Sequence, residues 1–401
     1  MLCALGVVVA VAVVVAGCSD GAGGGGDNSL DGGGVDGSGV DSSGVDSDAG
    51  DDSDAGGAAG SMGVPATALV AAGVWRSNFG ATERIGAGRW VSSSPGLDPM
   101  VMHLVGWSDD SRVVIAQADK ADPYNPSKYV RIIAEVVGAH EVAYCMVDFG
   151  LATAAAAVAS VKKADATDLD GKGCGGFAWT RLTRPAPAGL WESAFGGNER
   201  FDAAHFAWAE TTSWNNATRT AISRNSDDDP YNPGAYNVSQ WTAGDGATMH
   251  YCNVAFGIAS AELAAASTAT ADDSDLDGKG CGGFGWTNVA AHEVKGAWSS
   301  SFGGFEHIDG LGWGPFNLVS FTNAERVAIV QSHLDDPYTP GQFARIRWTA
   351  PSGGSFHYCI EVFGKDSAKA ALEAGEKADA SDVDGKGCGG FPWTKLTAPG
   401  A

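Results

Sequence analysis

The chain has 401 residues, a formal net charge of −23 and 44% apolar residues, with 13 Trp and 16 Phe. That length leaves room for two or three domains, each with a full apolar core. The acidic excess excludes nucleic acid as an expected partner and disfavours anionic membrane surfaces, since both repel a negative protein.

Residues 4–17 form an apolar run that ends Val15-Ala-Gly-Cys18. It is shorter than the roughly 20 residues a membrane-spanning helix needs. The Val-Ala-Gly-Cys end resembles the lipobox of bacterial lipoproteins, although Met1-Leu-Cys3-Ala carries no Lys or Arg. The resemblance implies a signal peptide over residues 1–17, Cys18 as a lipidated (palmitate-bearing) first mature residue, and a membrane partner through that anchor. Ser19, rather than Asp, follows the cysteine; by the same resemblance this implies lipid anchoring in the cell envelope, at the outer membrane of a Gram-negative bacterium.

Residues 18–66 read as a tether. Residues 19–60 contain ten Asp and no Lys or Arg, and include the pentads Gly34-Val-Asp-Gly-Ser, Gly39-Val-Asp-Ser-Ser and Gly44-Val-Asp-Ser-Asp. This composition buries too little apolar surface to offset chain entropy, so a disordered linker is expected. A Gly-rich coil of about 45 residues spans on the order of 35–40 Å.

The remainder repeats. Asp168-Leu-Asp-Gly-Lys-Gly-Cys-Gly-Gly-Phe-Ala-Trp-Thr180 returns at Asp275 and at Asp382, an offset of 107 residues each time. Three modules follow, over 67–184, 185–290 and 291–401. Each opens with Gly-x-Trp (Trp75, Trp191, Trp298), then Phe-Gly (Phe79, Phe195, Phe302), then a glutamate (Glu83, Glu199, Glu306). Two aromatics and an arginine (Arg112, Arg219, Arg326) come next, and the first module has nine extra residues between its aromatics, within 91–106. That insertion reads as a longer surface loop. The glutamate and arginine of each copy are expected to pair across strands, with a place on a polar binding face as the alternative.

Short β-branched and aromatic runs, such as Val113-Val-Ile-Ala and Tyr129-Val-Arg-Ile-Ile, are broken by Asp-Pro-Tyr loops at Asp122, Asp229 and Asp336. This is the pattern of an antiparallel sheet with short connections. An alanine-rich helix follows in each copy, within Thr153–Lys163, from Ser260 and from Asp366. The expected fold is mainly β: three tandem antiparallel barrel- or sandwich-like domains of six or seven strands, each with one helix and one disulfide. Gly-x-Trp on a first strand faintly resembles the calycin barrels.

Six module cysteines are spaced 29 residues apart in pairs. Two per repeat single out Cys145–Cys174, Cys252–Cys281 and Cys359–Cys388 among fifteen connectivities. Each bridge would clip the helix onto the sheet.

Asp-x-Asp-Gly-x-Gly resembles the first half of a calcium loop, which makes Asp165, Asp168 and Asp170, with Asp272, Asp275, Asp277 and Asp379, Asp382, Asp384, candidate metal ligands. Lys172 at the fifth position and Trp179 at the twelfth argue against it, and an Asx-type turn is the favoured reading. No Ser/His/Asp set and no phosphate loop is visible, so neither an enzyme nor a cofactor is expected. The candidate contacts are Asp122 and Tyr124, Asp229 and Tyr231, and Asp336 and Tyr338. Proline pre-sets the turn and tyrosine offers a flat face with a hydroxyl. The tandem copies resemble multi-copy lipoproteins of predatory and soil Gram-negative bacteria. Two functions fit: a surface-displayed module that binds a glycan, envelope polymer or protein three times over, or a structural spacer of the envelope without a small ligand.

Overall fold

In the computed structural model, the eight strands of the first module are Gly73–Ser77, Thr82–Gly86, Arg89–Ser93, Met100–Ser108, Val113–Ala118, Tyr129–Gly138, Glu141–Leu151 and Thr180–Thr183. Each pairs antiparallel with the next, and the first pairs with the eighth through Arg76↔Thr183 and Ser77↔Leu182. The second and third modules repeat this closed up-and-down barrel over Gly189–Ala290 and Gly296–Thr397. The structure describes residues 69–399 except 87 and 109; Cys18 and the tether lie outside the described residues. Each barrel has eight strands rather than six or seven; the third, five residues in the first barrel, shrinks to three, His205–Ala207, in the second and two, Gly312–Trp313, in the third, too short for alternation to show.

Alternation places one face of each strand inside. In the first barrel Trp75, Ile85, Trp90, Val114, Ile132, Val142 and Leu182 fill the interior. Val113 and Ile115 point outward and are also buried, under the helix Ala154–Ala159 with Val158 and Leu151. The run Val113–Ala116 is therefore apolar on both faces because both are covered.

The cover is the connection between strands seven and eight. Its helices are capped by Thr153, Ser260 and Ser367, each accepting a backbone N–H; in the third module the cap is Ser367, not Asp366. At the other end, Arg131 donates to the carbonyls of Ala157 and Val158, and Arg345 to those of Ala371, Leu372 and Ala374. A guanidinium there satisfies the orphan C=O groups of the last turn. The connection then returns along the outer wall and is stapled by Cys145–Cys174, Cys252–Cys281 and Cys359–Cys388, the expected pairing. Trp179 is buried beneath it with Ala143 and Cys145.

The nine extra residues of the first module do more than lengthen a loop. They extend the hairpin of strands three and four, which pair from Arg89↔His103 to Ser92↔Met100.

The barrels are not beads on a string; each touches both others. The first and second strands of one barrel lie against the fourth strand of the next. Arg76 donates to the carbonyls of Thr211 (2.7 Å), Thr212 (2.7 Å) and Ala203 (2.9 Å) and lies over the Trp214 ring. Asn198 accepts from the Phe321 N–H and Glu192 from the Asn323 N–H. His307 packs on Trp107, 5.4 Å between ring centroids, which returns the third barrel to the first. At the centre Val74, Ala203 and Leu311 meet, one from each barrel. A Cβ on Gly310 would lie 2.3 Å from the Gly189 Cα, so barrels two and three approach backbone to backbone there.

Candidate binding edge

In an up-and-down barrel the connections 1–2, 3–4, 5–6 and 7–8 leave one end, and the opposite end holds the remaining turns and the joins between modules. Among the described residues, the large apolar side chains left exposed belong to or adjoin the first set, with the exceptions of Val136 and Val137. Four aromatic positions recur among them in all three copies. They are Phe79, Phe195 and Phe302 in the first turn; Tyr124, Tyr231 and Tyr338 in the Asp-Pro-Tyr loop; Phe149, Phe256 and Phe363 near the end of strand seven; and Phe177, Phe284 and Phe391 after the stapled cysteine. Their exposure runs from 50 to 89%.

The Asp-Pro-Tyr loops owe their shape to the acid. Asp122 Oδ1 accepts the N–H groups of Tyr124 (2.9 Å) and Asn125 (2.6 Å); Asp229 and Asp336 hold their loops in the same way. For Asp336 the two backbone N–H groups also lower its pKa below the usual carboxylate value. The acids hold the turn, and the tyrosines stand out of it. In the third module Phe316, Tyr338, Phe343 and Phe363 line a small cleft of about 210 Å³ at this edge. That is below the roughly 300–1,000 Å³ typical of sites that enclose a whole small molecule.

The Asp-x-Asp-Gly-x-Gly segments are self-satisfied turns. Asp165 Oδ1 accepts from the N–H and hydroxyl of Thr167, and Asp168 Oδ2 from the Lys172 N–H. Asp272 and Asp275, and Asp379 and Asp382, repeat this with Ser274, Lys279, Ser381 and Lys386. Asp170 pairs with Arg181 at 3.0 Å. A Cβ on Gly173 would lie 2.2 Å from the Asp165 carbonyl, which explains the glycine. Among the described residues the three-carboxylate sets do not gather their oxygens into one ligand group. The group that does gather is His103, Asp119 and Asp335, where the first and third barrels meet, and there Arg89 already pairs with Asp335.

The recurring glutamates do not pair with the recurring arginines. Glu83 is 2% exposed inside the barrel and accepts from Trp90 Nε1 (2.9 Å), Ser92 Oγ (2.9 Å) and the Tyr144 hydroxyl (3.2 Å). Glu199 and Glu306 accept from Tyr251 and Tyr358. Burial raises the pKa of all three carboxyls, opposed by these hydrogen bonds. Arg112, Arg219 and Arg326 sit instead at positive φ in the turn between strands four and five; Arg326 pairs with Glu293. Sequence reasoning missed the tyrosine, whose signal was its recurrence immediately before Cys145, Cys252 and Cys359.

Comparison with protein-family models, with curated proteins and with solved structures gives no match to this chain.

Proposed function

We propose that the three barrels are the binding head of a cell-envelope lipoprotein, held by a lipid on Cys18 at the outer membrane and raised on the residue 18–66 tether. The head takes an extended envelope polymer or glycan through its aromatic edges and carries out no catalysis. One observation carries this reading: the same Phe, Tyr, Phe and Phe stand exposed in every copy, where burial gives the fold no reason to keep them. Large apolar groups gathered at one end of a domain mark an interaction surface. The small cleft of the third module suits a fragment of a ligand rather than a whole one, so repeated weak contacts would supply the strength. Linked sites of this kind raise avidity by about 10²-fold over a single site.

The test is co-sedimentation of the full chain with peptidoglycan sacculi and with outer-membrane polysaccharide. Tyr124→Ala, Tyr231→Ala and Tyr338→Ala are introduced singly, in pairs and together. Retention is expected to fall more steeply with each added substitution, to about a hundredth in the triple variant. Unchanged retention in the triple variant would remove the loops from the site. Binding of the parent chain to neither polymer would favour the spacer function. Membrane fractionation of Cys18→Ala tests the anchor separately: the variant is expected in the soluble fraction.

A further inference from the structure

A groove of about 630 Å³ opens where the first barrel meets the second, lined among others by Arg76, His140, Glu141, Ser213, Trp214 and Asn215. We propose that this groove is a single binding site for a neutral saccharide, distinct from the aromatic edges and independent of them.

The size and place suit a small ligand, since such sites run to roughly 300–1,000 Å³ and favour domain boundaries. The chemistry narrows the class. Both charged groups in the groove are engaged: the Arg76 guanidinium donates into three backbone carbonyls of the second barrel, and Glu141 accepts from Arg181 Nε at 2.6 Å. An ionic ligand therefore meets no open countercharge. What remains is neutral hydrogen-bonding capacity around one indole. Asn215 spends its Oδ1 on the N–H groups of Ala217 and Thr218, which leaves its amide N–H donors without a partner among the described residues. The Ser213 hydroxyl and the His140 ring likewise carry no hydrogen bond among those residues. Partial burial and the Arg184 charge lower the His140 pKa, which keeps the imidazole neutral at neutral pH with one donor and one acceptor. Trp214 is partly buried, packed on the neighbouring core residues and backed by Arg76, and its remaining open part supplies the flat apolar surface on which the C–H face of a sugar ring packs.

The wall that carries His140 is specific to the first module. Its sixth strand runs ten residues, Tyr129–Gly138, against six in each of the others, and turns tightly into Glu141. At the boundary of barrels two and three His140, Trp214, Arg76 and Asn215 are replaced by Ala247, Phe321, Glu192 and Thr322; at that of barrels three and one the indole is kept as Trp107, but Gly354, Ser299 and Ser108 replace the other three. The site is thus single, and its affinity owes nothing to avidity.

The experiment is saturation-transfer NMR and calorimetry on the full chain, with cellobiose, chitobiose, maltose and lactose as probes and glucosamine and glucuronic acid as charged controls. At least one neutral disaccharide is expected to bind, with neither control binding. His140→Ala combined with Asn215→Asp, which keeps the turn-holding oxygen and removes the amide donors, is expected to weaken it at least tenfold. Trp214→Phe installs the residue the third barrel already uses at this position and is expected to weaken it similarly without loss of fold. The triple tyrosine variant is expected to bind the disaccharide as the parent does. Failure of every neutral probe, equal binding of a charged control, or full affinity in both groove variants would overturn the proposal. Loss of disaccharide binding in the tyrosine variant would overturn its independence from the edges.

Discussion

At the position of Arg76 the second barrel has Glu192 and the third Ser299; at the position of Arg84 they have Arg200 and His307. Those positions lie on the face each barrel turns to its neighbours, where Arg84 bonds the Leu311 carbonyl and Asn317, and Arg200 the Leu318 carbonyl. At the loop end the copies have kept the same four aromatics. Both regions descend from the same duplications, so the difference reflects what each now does. The three barrel contacts are three different interfaces, and each copy adapted to its own neighbour. The loop ends meet the same requirement three times. Buried positions are kept by packing, but these aromatics are exposed, so a shared contact is the economical account of their retention.

Removing a staple should have the largest effect on stability and should leave that comparison intact. Cys359→Ala with Cys388→Ala opens a loop of about 30 residues, for which the chain-entropy model gives a loss of about 3.5 kcal/mol. Chemical denaturation should show this loss, and hydrogen exchange should show it centred on the outer wall of the third barrel. A variant as stable as the parent would mean that the helix and the buried Trp393 hold the wall alone.

The contact face comes next. Arg76→Ala removes a charged donor from three carbonyls and its packing from Trp214. The side chain is about half buried, so part of each bond is replaced by water; a loss of about 2 kcal/mol is expected. Barrels one and two should then unfold in separate transitions under urea. A single transition at the parent midpoint would show that the contact contributes nothing and that the divergence of this face has another origin.

Much of the module was legible in the sequence, because the signals were local and threefold. The strand pattern, the helix cap at Ser260 and the Asp-Pro turns are set by residues within a few positions of one another, and the bridges, 29 residues apart, by their threefold recurrence. The third strand was hidden because Gly312–Trp313 is too short to carry a period. Glu83 was misread because alternation does not tell a polar side chain whether a tyrosine waits inside the barrel. The ring of barrels left no repeated pattern, since its contacts differ at every interface. The candidate edge was half legible: the tyrosines were singled out, but their phenylalanine companions read as strand and turn residues until their exposure was known.

A smaller effect is expected in the barrel interior, which both regions share. Burial raises the Glu306 pKa, with the Tyr358 hydroxyl bond opposing it. A carboxyl whose folded pKa lies above its unfolded value binds its proton more tightly in the native state. Its contribution is therefore fully present below the unfolded pKa and is lost as pH rises through the folded one. Glu306→Gln keeps an oxygen for Tyr358 and has no charge to bury. Its thermal midpoint should match the parent at acidic pH and exceed it modestly at neutral pH. A neutral-pH midpoint below the parent's would mean that the ionised carboxylate is worth more to Tyr358 than its burial costs.

The smallest expected effect bears most directly on the comparison. Tyr124, Tyr231 and Tyr338 are 83, 87 and 89% exposed, and the Asp side chains, not the tyrosines, hold their loops. Replacing all three by Ala removes little buried area, and surface changes away from caps and cores usually stay within about 0.5 kcal/mol. The triple variant should therefore unfold at the parent's midpoint by calorimetry. A drop of several degrees would place the tyrosines in the structural account: rings that pack on their own module in solution would need no ligand to explain their recurrence. An unchanged midpoint together with lost polymer retention would separate the two regions by function, with polymer binding at the loop end and barrel-to-barrel stability, beside the groove site, at the contact face.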